Sequence, residues 1–267
     1  MKIYYWGVEW AYSHIVGNFY WEKLGIKDVE WVKNFKEVFE EIIKWNYWII
    51  PIENSYAGSV YENFFNLSKY DVKIYDEYYL NINHCLVSTS SNISSIKKVF
   101  SHYQALMQCE NYLNKNNLTQ ESYLDTAWSA AYIKELNNNE FAAICSEFAG
   151  EIYWLNILEK NIEDQSGNTT RFFLVWQDWL NLWLEKKWKI SLIFKAKSVP
   201  AVLYKCLGAF ATRNINLTKI ESLPAKENPF EYMFWIDLDG SLDSLEVKWA
   251  LEELKFFTTD IRILWNY

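Results

Sequence analysis

The stretch Asn168-Thr169-Thr170-Arg171-Phe172-Phe173-Leu174-Val175 joins a polar loop, Glu163-Asp164-Gln165-Ser166-Gly167, to an apolar strand. A loop that ends by entering a strand holds its last polar side chains rigidly, because the strand is fixed in a sheet. Two hydroxyls and an amide beside a guanidinium suit a small oxygen-rich anion, since Arg pairs with carboxylates and Thr donates to oxygen. Taken alone, the stretch favours a structural role, because Thr and Arg often open strands.

The same order of apolar strand, polar cluster and amphipathic helix recurs up to residue 175. This repetition indicates an α/β sheet with crossover helices. In such sheets, ligands bind beyond the carboxyl ends of the strands, where helix N-termini offer free N–H groups. One cluster alone is more typical of a helix cap, whereas five together predict a ligand cleft. The five clusters are Ser13; Glu53-Asn54-Ser55 with Gly58-Ser59; Ser101-His102-Tyr103-Gln104; Asp125-Thr126; and Ser146-Glu147.

The sequence predicts two domains. Residues 71–88 form a long extended segment, which we interpret as a hinge strand between two lobes that hold the ligand between them. After a connector over residues 176–188, the pattern restarts as strand, helix, strand, strand, helix, strand. This order is that of the ferredoxin-like split motif. We therefore predict a two-lobed domain over residues 1–178 and a small domain over residues 188–267.

Composition narrows the class of protein. A hydrophobic fraction of 51% predicts a sizeable core, and a net charge of −8 without a basic run argues against nucleic-acid partners and anionic membrane surfaces. The chain shows no signal-peptide pattern and no apolar run of about 20 residues. Scattered Cys85, Cys109, Cys145 and Cys206 indicate reduced thiols in a cytoplasmic protein without a metal site. Fifteen Trp against eight Gly predict turns built without the usual glycine.

Several stretches together resemble prephenate dehydratases that carry a C-terminal ACT regulatory domain. The resemblance runs essentially from end to end, and the stretches occur in the family's order. It implies a two-lobed, periplasmic-binding-protein-like catalytic domain followed by a ferredoxin-like ACT domain. The stretches are Pro51–Ser55 with Gly58–Val60, Ser101–His102 with Gln104–Leu106, Asp125–Ala127 with Ala130–Ala131, Asn168–Phe172, and Asn214–Ser222.

The resemblance implies a reaction in phenylalanine biosynthesis, in which prephenate loses its ring hydroxyl and ring carboxylate to give phenylpyruvate. Because the step gains aromaticity, no redox or metal cofactor is expected. The family's essential hydroxyl falls on Thr170, which we picture as a preorganised donor to the departing oxygen. Arg171 would hold a substrate carboxylate or fix the loop. Candidate substrate-binding residues are Ser13, Asn54, Ser55, Gly58, Ser101, Gln104, Asn168, Thr169 and, by packing, Phe172.

The resemblance also implies a phenylalanine effector site in the small domain. The sequence departs from the family there, since Ala201 replaces a Gly and Leu223 replaces an Arg, so we expect weak or absent inhibition. In the first domain, Trp10 and Trp154 stand where Gly is expected, and Tyr103 replaces a Pro. The candidate effector residues are Ala201, Val202, Leu203, Asn216, Leu217, Thr218, Glu221 and Ser222.

The leading hypothesis is a cytoplasmic prephenate dehydratase that forms a homodimer or homotetramer, since 19% aromatic residues exceed what one monomer core buries. The first alternative is a catalytically weak binding or sensing protein on the same scaffold, which Trp10 favours. A second is a two-lobed binding module like periplasmic receptors, against which the missing signal peptide and the Thr-Thr-Arg-Phe stretch count. A dehydrogenase is disfavoured, because no Gly-rich dinucleotide turn follows the first strand.

Overall fold

The computed structural model describes residues 2–6, 11–26, 28–32, 46–176, 188–224 and 232–267. Two compact units are present, one made of Met1–Val60 and Tyr78–Phe172, the other of Tyr61–Glu77 and Phe173–Tyr267. The sequence did not suggest that residues 61–77 group with the C-terminal residues. The predicted boundary, between residue 178 and residue 188, falls in a stretch outside the described residues, and it stays a prediction.

Strands and helices are mixed along the chain. The strands are β1 (Ile3–Trp6), β2 (Val29–Val32), β3 (Tyr47–Asn54), β4 (Gly58–Ser59), β5 (Lys73–Asn81), β6 (Cys85–Ser88), β7 (Lys98–His102), β8 (Thr119–Tyr123), β9 (Phe141–Cys145), β10 (Asn156–Lys160), β11 (Thr169–Trp176), β12 (Lys189–Ala196), β13 (Leu217–Pro224), β14 (Tyr232–Asp239) and β15 (Thr258–Asn266). The helices are α1 (Tyr12–Leu24), α2 (Tyr61–Lys69), α3 (Tyr103–Gln108), α4 (Glu110–Lys115), α5 (Thr126–Leu136), α6 (Glu147–Ile152), α7 (Val202–Ala211) and α8 (Leu245–Phe257). None of these helices is long and apolar enough to cross a membrane.

Two sheets carry the polar clusters. The first has the strand order β2-β1-β3-β11-β5, with β4 paired to β3, and the second has the order β10-β6-β9-β7-β8. Strand β1 runs parallel to β2 and β3, and β7 runs parallel to β8 and β9. Parallel neighbours need crossover connections, and here α3, α4 and α5 supply them in the second sheet. The predicted α/β class is confirmed.

The extended segment 71–88 consists of two strands in different sheets. Strand β5 belongs to the first sheet and β6 to the second, and residues 82–84 join them. The chain returns to the first sheet through residues 161–168, and the two passages are bonded to each other. Ile82 N donates to Asn168 O at 2.8 Å, and Ile162 N donates to His84 O at 3.1 Å. The paired passages fix the backbone at Asn168 and at His84, whose side chains both reach Gln108.

The C-terminal strands form an antiparallel sheet of order β13-β14-β12-β15. With α7 and α8, this is the βαββαβ order that the sequence predicts. Helices α7 and α8 bury one face of the sheet, against residues such as Ile236 and Leu238. The alternating residue Trp235 faces the other side, where Phe64 of α2 lies at 4.8 Å between ring centroids and Phe173 at 6.1 Å. Both sheet faces are therefore covered around β14.

Candidate active site

A cavity of about 460 Å³ lies where the polar clusters meet. All of its lining residues in the described part of the chain belong to the first compact unit. Four of the five predicted clusters contribute, through Ser13, Asn54 with Gly58 and Ser59, His102 with Gln104, and Asp125 with Thr126. The fifth cluster does not line it. There the Ser146 hydroxyl accepts from Ala149 N at 3.1 Å and caps α6. For that cluster, the capping alternative was right.

The Thr170 hydroxyl faces this cavity with a defined hydrogen-bond direction. Its oxygen accepts from the Asn54 side-chain nitrogen at 2.9 Å. That nitrogen also donates to the Asn168 side-chain oxygen at 2.6 Å. A hydroxyl that accepts from an amide still has its own hydrogen to donate. Thr170 is therefore arranged to donate a hydrogen bond into the cavity.

Four predicted site residues have side chains that are engaged elsewhere and are absent from the described cavity wall. Buried Ser101 donates to Ile144 O at 2.7 Å. The Ser55 hydroxyl accepts from Thr169 N at 3.0 Å, and the Thr169 hydroxyl donates to the Asn81 side chain at 3.0 Å. These three side chains stabilise the ends of strands instead of facing a ligand.

The fourth is Arg171, whose guanidinium is held inside the protein. The residue is 3% exposed, and Nη1 lies 3.1 Å from Glu53 Oε1. The guanidinium also lies 5.9 Å from the centre of the Tyr79 ring. Of the two roles that the sequence left open, this geometry favours fixing the loop before β11 over holding a substrate carboxylate.

The electrostatics of the cavity come from short polar side chains. The described wall contains no Lys or Arg, so an anion would meet hydroxyls, amides, imidazoles and backbone N–H groups. Burial raises the pKa of Asp125, while the backbone N–H groups of Ala127 and Trp128 oppose the rise in pKa by binding its carboxylate at the start of α5. Within the described residues, no three His, Cys, Asp or Glu side chains gather as a metal site would require.

Comparison with known proteins identifies the family. The sequence profile described as prephenate dehydratase matches residues 3–178. The chain belongs to the prephenate dehydratase family. It is 36% identical, over 100% of this chain and 72% of the relative, to arogenate dehydratase/prephenate dehydratase 2 of Arabidopsis thaliana. It is 37% identical, over 90% of this chain and 87% of the relative, to the prephenate dehydratase of Methanocaldococcus jannaschii.

The crystal structure of the Staphylococcus aureus prephenate dehydratase has the same fold. It superimposes with a TM-score of 0.86 at 26% identity and covers 100% of both chains. The predicted fold class is thereby confirmed. Trp10, which stands where the family resemblance expects a Gly, lies outside the described residues.

Sequence reasoning missed three polar residues that line the cavity. His84 contacts both Tyr12 and Gln108, with Tyr12 Oη 3.2 Å from His84 Nδ1 and His84 Nε2 2.8 Å from Gln108 Oε1. They are separated by 72 and 24 positions in the chain, so no local motif joins them. The available signal was a histidine between Asn83 and Cys85 in an extended segment, which by itself does not reveal a partner.

The predicted effector residues lie in the second unit. Ala201 precedes α7 with φ 55°, and the Asn216 side chain donates to Asp239 at 2.8 Å. Thr218 and Ser222 lie on the exposed side of β13. Leu223, at the position of the expected Arg, is only 1% exposed. A guanidinium at this position would be buried, so replacing Leu223 by Arg is a poor way to restore a ligand contact.

Proposed function

We propose that this chain catalyses the decarboxylating dehydration of prephenate to phenylpyruvate, the step that the family name describes. The observation that carries the proposal is the Thr170 hydroxyl, which accepts from Asn54 at 2.9 Å and so keeps its hydrogen for a ligand in the cavity. Next to Thr170, the buried guanidinium of Arg171 is fixed by the half-buried carboxylate of Glu53. This arrangement supports electrostatic catalysis by a preorganised donor.

The chemistry needs little more than positioning and one proton. The ring carboxylate leaves as carbon dioxide, its bonding electrons enter the ring, and the C–O bond opposite breaks. The departing oxygen takes one proton and leaves as water, so the reaction consumes one proton overall. The Thr170 hydroxyl stabilises the negative charge that develops on this oxygen by donating a hydrogen bond. Aromaticity of the product supplies the driving force.

The substrate carboxylates would be bound without a cationic side chain from the described wall. Ser13, Gln104 and Thr126 offer donors from three different helices that line the cavity. Thr126 is also the first residue of α5, an 11-residue helix whose dipole favours negative charge at this end. Binding of a dianion by such groups depends on exclusion of water, because hydrogen bonds strengthen at low dielectric.

A second candidate substrate is arogenate, which carries an amino group in place of the keto group of prephenate. The Arabidopsis relative is named for both substrates. In this chain, Asp125 at the cavity wall and the absence of Lys and Arg from the described lining would tolerate an ammonium group. Prephenate remains the leading substrate, because the archaeal relative of similar identity is named for it alone.

The test is turnover of both substrates by the purified chain without additives. Phenylpyruvate formation from prephenate and phenylalanine formation from arogenate are followed at equal enzyme concentration. We expect the larger kcat/KM for prephenate. A larger kcat/KM for arogenate would assign arogenate as the substrate and leave the reaction class unchanged. Binding without turnover of either would support the alternative of a binding or sensing protein.

Regulation, assembly and location are further parts of the proposal. We infer that the ferredoxin-like sheet is an ACT regulatory domain whose effector is phenylalanine. A homodimer or homotetramer is expected, and light scattering that shows a monomer at all concentrations would refute it. The four cysteines Cys85, Cys109, Cys145 and Cys206 are buried free thiols, which supports a cytoplasmic location.

A further inference from the structure

A chain of hydrogen bonds connects the Thr170 hydroxyl to a buried histidine. It runs from Thr170 through the side chains of Asn54, Asn168 and Gln108 to His84, and we name these last four the amide–imidazole chain. The distances are 2.9 Å from Asn54 to Thr170, 2.6 Å from Asn54 to Asn168, 3.0 Å from Asn168 to Gln108, and 2.8 Å from His84 to Gln108. Three of these distances lie in the usual range for N–H···O hydrogen bonds, and the bond from Asn54 to Asn168 is slightly shorter.

The donor-to-acceptor direction of the amide–imidazole chain is fixed at its Asn54 end. Asn54 Oδ1 accepts from two backbone donors, Tyr56 N at 3.0 Å and Ala57 N at 2.9 Å. A backbone N–H cannot become an acceptor, so the amide of Asn54 has one orientation. Its Nδ2 must therefore donate, both to Thr170 and to Asn168.

The orientation of Asn54 determines the orientation of the amides that follow it. Asn168 offers Oδ1 to Asn54, so its Nδ2 is the atom that faces Gln108. Gln108 must accept this hydrogen bond through Oε1, and the same oxygen lies within hydrogen-bond distance of His84 Nε2. A flip of any one amide would set two donors or two acceptors against each other. His84 Nε2 must therefore carry a hydrogen.

The surroundings of His84 keep the imidazole neutral and are compatible with a hydrogen on Nε2. The residue is 2% exposed, and burial lowers its pKa, while Gln108 and the carboxylate of Glu163 oppose that fall in pKa. Glu163 accepts the backbone N–H of His84 at 2.9 Å. On the other side of the ring, Tyr12 donates to Asn83 O at 2.9 Å, and its Oη lies 3.2 Å from Nδ1, close enough for the same hydrogen to be shared with a bare Nδ1. Burial also raises the pKa of Tyr12 well above its ordinary value, so the phenol stays protonated.

We propose that His84 is a positioning residue for the reaction: its Nε2–H holds the Gln108 carbonyl and thereby orients the two asparagine amides that present the Thr170 hydroxyl to the substrate. Both ring nitrogens face protein groups, so His84 is not assigned to proton transfer with the substrate. The catalytic part of this inference rests on the proposed function. The direction of the hydrogen bonds does not rest on it.

The first experiment measures the tautomer of His84 by nitrogen NMR of protein with labelled histidine. The chain has three histidines, and the His84→Gln variant assigns the signal. We expect a protonated Nε2 and a bare Nδ1 at neutral pH. Asn168→Asp replaces the donor to Gln108 by an acceptor, so Gln108 should turn its NH₂ group and move the His84 proton to Nδ1. A parent with Nδ1–H, or no tautomer change in Asn168→Asp, would overturn the proposal.

The second experiment compares His84→Leu, which removes the donor, with His84→Gln, which keeps an N–H near the same place. We expect His84→Leu to lower kcat about ten- to a hundredfold with little change in KM, and His84→Gln to recover most of it. Equal kcat in parent and His84→Leu would contradict the positioning role. If His84→Leu fails to fold, the tautomer change in Asn168→Asp tests the proposal instead. If the parent protein shows no turnover, the proposed function is refuted. The tautomer of His84 still reports the direction of the hydrogen bonds in the amide–imidazole chain.

Discussion

At the scale of single residues, several turns use other residues where the backbone favours glycine. Among the described residues, positive φ occurs at Asn117, Asn137, Asn161 and Asn214, and also at Trp154 and Ala201. Asn tolerates this left-handed conformation, whereas Trp and Ala are strained by their Cβ atoms. The high ratio of Trp to Gly in the sequence predicts such turns, and the two strained positions are ones at which the family resemblance expects Gly.

Trp154 offers a direct test of that strain. It has φ 55° just after α6 and is 86% exposed, so its ring contributes little packing. We expect Trp154→Gly to raise the free energy of unfolding by about 1 kcal/mol, because Gly removes the left-handed penalty. Denaturant unfolding measures this. Asn137→Gly, at φ 47°, is the matched control and should gain less. Equal gains at both sites would contradict the explanation.

His14 makes stability depend on pH. Its ring stacks on Tyr5, and burial lowers its pKa from 6.5 to about 4, which the hydrogen bond to Asn18 opposes. Between these values the unfolded chain binds more protons, so stability falls as pH drops from 6.5 towards 4. We expect this loss to be on the order of 1–3 kcal/mol, and His14→Phe to remove it while keeping the stacking. Identical pH profiles for parent and variant would contradict this role.

The residue types of the site were predictable, and their orientations were not. Thr170, Asn54 and Asn168 follow from the motif and lie together at the cavity. Ser101 and Arg171 come from equally persuasive stretches, yet their side chains turn into the protein towards Ile144 and Glu53. Which way a polar side chain points at a strand end depends on its partners in other strands, and those are invisible in one sequence.

At the scale of elements, α2 is bound at its C-terminal end by the last strand of the chain. Arg262 of β15 donates to Ser68 O at 3.0 Å and to Tyr70 O. Carbonyls at a helix end lack partners within the helix, and a guanidinium supplies several donors in one plane. Lys219 lies 5.2 Å from the Phe64 ring of the same helix. These contacts explain why residues 61–77 group with the C-terminal residues.

Replacing Arg262 tests this anchoring. We expect Arg262→Met to lower the free energy of unfolding by about 1.5–3 kcal/mol, because partly buried carbonyls lose charged donors. Lys255→Met is the control. Lys255 pairs with Glu252 on an exposed face of α8, and its loss should cost less than about 0.5 kcal/mol. Comparable losses in the two variants would show that Arg262 does not anchor α2.

Elements with a strong local pattern were predicted within a few residues, and elements defined by their partners were not. The apolar run Phe141–Cys145 is β9, and both helices of the C-terminal βαββαβ motif were expected. The short strands β2 and β10 were missed, since Val29-Glu30-Trp31-Val32 and Asn156–Lys160 become strands by pairing at sheet edges. Nor does the sequence say that 71–88 divides between two sheets, because strand pairing is a long-range property.

At the scale of the whole molecule, regulation depends on whether the small unit binds phenylalanine. Ala201 occupies a left-handed position at the start of α7, which a Gly would adopt without strain. We expect weak or absent phenylalanine binding by the parent and partial recovery in Ala201→Gly, measured by calorimetry. Because Leu223 is buried, Leu223→Arg should destabilise the unit instead of assisting. Tight binding by the parent would show that Ala201 does not control the site.

The central claim is that the hydroxyl of Thr170 carries the chemistry. The chain supplies a matched control in the adjacent Thr169, whose hydroxyl is bonded to Asn81 and does not line the cavity. The measurement is kcat for prephenate in Thr170→Val and Thr169→Val, since Val keeps the shape and removes the donor. We predict a fall of about 100-fold or more in Thr170→Val and near-parental turnover in Thr169→Val. Near-parental turnover in Thr170→Val, or an equal fall in both, would contradict the claim.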